Sequence, residues 1–142
     1  MHLNGGINML LKAYPAIFIP EEEGGYFIKF PDLQGAYTCI YEDDDIAFGI
    51  SMAEEALGLT LAGCIEDDDF TPAPSDINDL IVPSGGFVTM VKVDLKDYLK
   101  DNTPVKKTLT IPKWVNDLGN RCGVNFSKLL TKAIIAENLN QK

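Results

Sequence analysis

Residues 105–140 hold one short alternating stretch, a proline and two helical apolar patterns, and nothing more. Lys106-Lys107-Thr108-Leu109-Thr110-Ile111-Pro112 reads as a strand. Leu109 and Ile111 point one way, Lys106, Thr108 and Thr110 the other. Pro112 suits the first turn of a helix, where its missing N–H costs nothing. That helix runs to about Arg121, with Val115 and Leu118 on one face. Gly123 is a helix stop and Asn125 a cap for the next helix, Phe126 to about Asn138. There Phe126, Leu129, Leu130, Ala133 and Ile134 recur at helical spacing. A strand and two helices in so few residues cannot close a core. The lone strand also leaves its backbone groups unpaired. A two-fold dimer solves both problems: two strands pair antiparallel, and four helices cover their inner face.

The charge of the chain changes in the same region. Residues 1–103 carry 19 acids and 5 bases, a balance of −14; residues 104–142 carry 2 acids and 7 bases, a balance of +5. The whole chain stands at −9, which taken alone argues against nucleic acid. That argument fails for the basic tail. Pro104 disfavours helix at Thr103 and marks the boundary. We therefore divide the chain into a domain over 9–94, a linker over 95–104 and a dimeric domain over 105–140.

The first domain reads as β-β-β-α-β. Its strands are Met9–Ile19, Tyr26–Phe30, Ala36–Tyr41 and Phe87–Val93, with turns at 20–25 and 31–35. A helix from about Asp45 carries Ile46, Ile50, Ala53, Leu57, Leu61 and Cys64 as its apolar stripe. The fold class is α+β, a small antiparallel sheet with one helix. Asp43, Asp44 and Asp45 suit a helix start. The second acidic run, Glu66-Asp67-Asp68-Asp69, falls where the helix dipole disfavours negative charge. It reads as a solvated loop, as a patch for a basic protein or as a divalent-cation site.

Several functions are disfavoured by residue inventory. The one histidine, His2, leaves no His pair, Ser-His-Asp triad or multi-His metal site. The four strands hold no Asp or Glu, and a domain at −14 repels a phosphate substrate, so we expect no catalytic residues and no cofactor. Cys39, Cys64 and Cys122 have no CxxC spacing; we expect neither disulfide nor metal site, a reducing cytoplasm, and Cys39 and Cys64 as small core residues. No run of about 18 apolar residues is evident, so no membrane partner is expected. Met1–Asn8 lacks the pattern of a signal peptide, and Met9 is a plausible start.

The stretch Thr108-Leu109-Thr110-Ile111-Pro112 with Gly123-Val124-Asn125-Phe126-Ser127 resembles the ribbon-helix-helix DNA-binding family. The resemblance implies base readout by Lys106, Thr108 and Thr110 in the major groove. It places a phosphate clamp at Asn125 and Ser127. Phe126 departs from the small polar or basic residues common at that position. Upstream, Tyr14-Pro15-Ala16-Ile17-Phe18, then Gly24 to Gly35 (GGYFIKFPDLQG), Glu54-Glu55-Ala56-Leu57 and Pro72-Ala73-Pro74-Ser75 resemble HicB antitoxins over about 14–94. That resemblance implies neutralisation of a HicA-type toxin, a small basic ribonuclease that cleaves mRNA. It also implies repression of the shared operon through operator DNA, by a homodimer or higher even oligomer. Glu66, Asp67, Asp68 and Asp69 are the candidate toxin contacts. The alternative is a ribbon-helix-helix regulator whose first domain senses a small ligand, which would need an apolar pocket.

Overall fold

A computed structural model describes residues 10–99 and 103–139. His2, the start at Met9, residues 100–102 of the expected linker and residue 140 lie outside the described residues. The chain divides into two compact units, one spanning Leu10–Leu99 and one C-terminal to it.

In the first unit the strands β1 (Leu11–Pro20), β2 (Tyr26–Lys29) and β3 (Tyr37–Ile40) are followed by α1 (Ile46–Glu66) and β4 (Phe87–Asp94). The sheet order is β3-β2-β1-β4, with every neighbouring pair antiparallel. Pro15 sits inside the central strand, where proline normally breaks a ladder. Here β2 ends at Lys29, opposite Ile17, so beyond that pair β1 has no neighbour on this side and no ladder bond is lost. The β1–β2 turn needs Gly25 at φ +79, because a Cβ there would strike the carbonyl oxygen of Ile40.

One face of the sheet carries the core. Tyr14, Ala16, Phe18, Ile28, Ile40, Val91 and Val93 are buried with Ala53, Leu57 and Leu61 of α1. Phe18 stacks on Phe87 at 4.5 Å and meets Tyr26 edge-on at 5.8 Å. Asp45 alone of its acidic run caps the helix, accepting from the Phe48 N–H at 2.9 Å; Asp44 instead closes the preceding turn by accepting from the Tyr41 N–H at 2.8 Å.

The expected helix stripe is right at its centre and wrong at its ends. Ile46 is 38% exposed and Cys64 half-buried, while Gly49, Gly58 and Ala62 are buried. Small residues set this: a Cβ at Gly49 would lie 2.9 Å from Ile40 Cδ1, and one at Gly58 2.5 Å from the Tyr98 ring. Close approach is possible only where side chains are absent, so the helix is rotated toward its glycines. Cys39 is exposed, not core, because its neighbour Ile40 takes the inward position on β3. The segment expected to begin the linker is packed: Leu95 is 1% exposed, a 3-10 turn runs over Leu95–Asp97, and Tyr98 packs on the core. By length and composition α1 could cross a membrane, contrary to the sequence expectation. It serves instead as the helix that covers the sheet.

The second unit contains α2 (Lys113–Arg121) and α3 (Phe126–Leu139). Pro112 is the N-cap rather than the first helical residue, its carbonyl accepting from Val115 and Asn116 N–H groups at 3.1 Å. Gly123, at φ +71, ends α2: the Val124 N–H reaches the Gly119 carbonyl at 2.9 Å and its own N–H reaches Asn120 at 3.3 Å. Residues 104–112, which include the expected strand, form no strand within the single chain. A ladder needs a partner, and the described part of this chain supplies none to them.

Candidate functional site

Two surfaces carry the sequence-predicted residues, one in each unit. The first is built on the C-terminal end of α1. Asp69 N–H bonds to the Cys64 carbonyl at 2.8 Å and Asp68 N–H to Ile65 at 3.2 Å, the paired bonds of a Schellman ending. Asp68 takes the left-handed position at φ +58, which glycine normally occupies. The acidic run is therefore a folded helix cap, ordered by its own backbone. Its side chains are exposed.

Beside it lies an open cleft of about 360 Å³, bounded by Asp32, Gln34, Thr60, Cys64, Asp69 and Phe70. Asp32 accepts from both the backbone N–H (2.9 Å) and the hydroxyl of Ser75, which ties the Pro-rich loop to the 31–35 turn. Tyr14 donates to the Pro72 carbonyl at 2.6 Å and pins the same loop from below. Burial pushes the Tyr14 phenol above its ordinary range, with Asp32 and then Cys64 adding to the shift. Burial likewise raises the Cys64 thiol, helped by Asp69 and Asp67. Charge in the cleft is thus negative, and an anionic ligand is disfavoured there. The two pieces of the family fingerprint that meet here, Asp32 and Ser75, are 43 residues apart. Their presence in one fingerprint was the available signal; their bond was not legible. Among the described residues no three His, Cys, Asp or Glu side chains gather as a metal ion would require.

The second surface is basic. Lys106, Thr108 and Thr110 are exposed, on the segment leading to α2. Asn125 caps α3, its Oδ1 accepting from the Lys128 N–H at 3.0 Å. Ser127 is exposed in the first turn, and its carbonyl accepts from the Thr131 hydroxyl at 2.8 Å. Phe126 between them has a packing role: a Cβ on Gly119 would sit 2.5 Å from its ring. Lys113 is paired with Asp117 at 2.9 Å. Leu109, Ile111, Trp114, Leu118, Leu129 and Ile134 are all between 41% and 69% exposed in the single chain. An apolar set this large is unusual on the surface of one small unit.

A family model described as the HicB-like antitoxin of bacterial toxin-antitoxin systems matches residues 14–123, from the pinning Tyr14 to the Gly123 helix stop. The chain belongs to the HicB-like antitoxin family. Curated relatives include antitoxin HicB 1 of Photorhabdus laumondii, 36% identical over 64 residues, 45% of this chain and 39% of the relative. Antitoxin HicB of Escherichia coli K12 is 32% identical over 65 residues, 46% of this chain and 45% of the relative. The chain thus spans less than half the length of these relatives. Among solved structures, a chain of a toxin-antitoxin complex from Streptococcus pneumoniae is 39% identical, with a TM-score of 0.55, covering 89% of this chain and 99% of that one. The HicB antitoxin of Burkholderia pseudomallei has a TM-score of 0.54 at 20% identity, covering 87% and 96%, and speaks for the fold alone. The α+β architecture of this HicB-like chain is shared across these structures.

Proposed function

We propose that this HicB-like chain binds and neutralises a HicA-type ribonuclease toxin through its first unit. Its second unit binds operator DNA as a ribbon-helix-helix dimer and represses the shared operon in the cytoplasm. The observation that carries this reading is a single family match spanning two units of opposite charge. A unit at −14 attracts a basic, RNA-binding protein and speeds its encounter. A tail at +5 attracts DNA. The similar chain from Streptococcus pneumoniae comes from a toxin-antitoxin complex, which supports a toxin as partner.

Within this reading, Glu66, Asp67, Asp68 and Asp69 form the toxin-facing patch. The Schellman ending presents them on a fixed backbone rather than a floppy loop. For DNA, antiparallel pairing of 106–111 across a dimer would set Thr108 and Thr110 of both chains on one outer face. Leu109 and Ile111, half-exposed here, would go inward. The first turn of α3 at Asn125 and Ser127 would then meet phosphate. With both activities on one chain, toxin occupancy can bias DNA binding by linkage. The ligand-sensor alternative gains little, because the cleft beside α1 is open to solvent rather than closed, and Asp32 and Asp69 stand in its wall.

The test is expression of the small basic reading frame adjacent to this gene, alone and together with this chain. Growth arrest by that product, rescue on co-expression and co-purification of the pair are expected. A neighbour that is harmless and does not co-purify would overturn the antitoxin reading and return the first unit to ligand sensing.

A further inference from the structure

A helix that covers a sheet needs an apolar stripe on one side only. α1 has one on each side. Ala53, Leu57 and Leu61 are buried in the core. On the opposite side Phe48, Met52, Ala56, Leu59 and Gly63 follow at spacings of 4, 4, 3 and 4, which is a single helical stripe. Phe48 is 47% and Leu59 60% exposed, while Met52, Ala56 and Gly63 are half-buried. The glycines of α1 show the same contrast. A Cβ at Gly49 or Gly58 would strike a side chain of this unit, but one at Gly63 meets nothing within 4 Å. Gly63 weakens the helix with no packing reason among the described residues. An apolar stripe of this length on the solvent side of a core helix is normally covered.

Charge selects what covers it. Between Lys29 and Lys92 there is no lysine or arginine, and that stretch holds 13 acids. Glu55 stands beside the stripe, Asp43 and Asp45 precede the helix, and Glu66 to Asp69 close its other end. A second copy of this unit is repelled by such a frame, as are nucleic acid and an anionic lipid surface. What fits is a protein segment with an apolar face flanked by lysine or arginine. The second unit is also basic, but its apolar residues have their cover in the dimer proposed above.

We propose that this outer stripe of α1 is where the toxin docks, with Phe48 and Leu59 as the apolar anchors. On the antitoxin reading, on which this rests, the contact then has two parts. The acids at 66–69 draw in the basic partner, and the stripe holds it. The acidic run begins three residues beyond Gly63, so one partner can span both.

The test uses the full chain and the small basic protein encoded beside its gene. Phe48→Ala with Leu59→Ala, both at exposed positions, should weaken the complex about tenfold or more. The loss should come through faster dissociation, at an unchanged circular dichroism spectrum. Glu66→Gln, Asp67→Asn, Asp68→Asn and Asp69→Asn together should instead slow association, a difference that added salt removes. Equal dissociation rates for the parent and the apolar variant overturn the stripe and leave the antitoxin reading standing. No complex with the parent sinks both. A variant with changed operator affinity and unchanged toxin affinity also overturns the inference and gives the stripe to the second unit. Should the double variant fold poorly, Gly63→Gln replaces it. That variant should melt no lower than the parent, because its Cβ has room, yet release the toxin about tenfold faster or more. An unchanged release rate overturns the inference equally.

Discussion

The Phe126 ring covers the bare Cα of Gly119, so closely that a Cβ at 119 would lie 2.5 Å from Phe126 Cζ. This pair locks α3 onto α2. It also explains why an aromatic residue stands where the ribbon-helix-helix resemblance leads one to expect a small polar one.

Gly119→Ala should therefore destabilise the second unit by about 1–3 kcal/mol, the cost of overpacking a tight contact. Thermal melting of the full chain checks it. If DNA binding requires the helix pair, operator affinity falls with it. A variant as stable as the parent would show that the ring moves aside without cost.

Thr108→Ala with Thr110→Ala should leave the fold intact, since both side chains are exposed. Loss of two base-reading groups per chain should lower affinity for the operator about tenfold or more, with nonspecific binding nearly unchanged. Toxin neutralisation should persist. Mobility shift with operator and scrambled DNA, together with growth rescue, checks both halves.

Asp68 occupies a left-handed position at φ +58 in the α1 ending. Asp68→Gly should raise stability by about 0.5–1 kcal/mol, because glycine takes that conformation without a Cβ penalty. The same change removes one acid from the candidate toxin patch. We expect a higher melting temperature together with slower toxin association at low salt. A gain in stability with no change in association rate would return the run to a solvated cap.

Alkaline stability follows from two tyrosines. Burial, then nearby Asp32 and Cys64, raises Tyr14; burial, then Glu55, Glu54 and Asp97, raises Tyr98. Both phenols hold their protons more tightly folded than unfolded. Their contribution is fully present below the ordinary tyrosine value of 10.0 and is lost as pH rises from there through their raised folded values. The melting temperature should fall above about pH 10. Tyr14→Phe should weaken that fall while costing about 1 kcal/mol at neutral pH, the worth of its bond to Pro72. Melting across pH for both proteins checks the sign.

Periodicity and turn chemistry were legible in the residues themselves. Alternation in YFIKF, the GG turn, the Asn125 cap and the Gly123 stop depend on a few neighbours, so local sequence determined the order β-β-β-α-β followed by two helices. Family resemblance and the charge division needed only the sequence as well. Long-range geometry was not legible. The rotation of α1 toward Gly49 and Gly58 depends on Ile40 and Tyr98, which lie far along the chain and permit close approach only where no Cβ intervenes. The inward position of Ile40 over Cys39 is set by pairing with β2. The bond between Asp32 and Ser75 exists because two loops meet across the end of the sheet. Which face of that sheet carries the core is likewise decided by where α1 lands. Sequence determines what the nearest few residues can do; the tertiary structure decides which distant surfaces share the space that they leave.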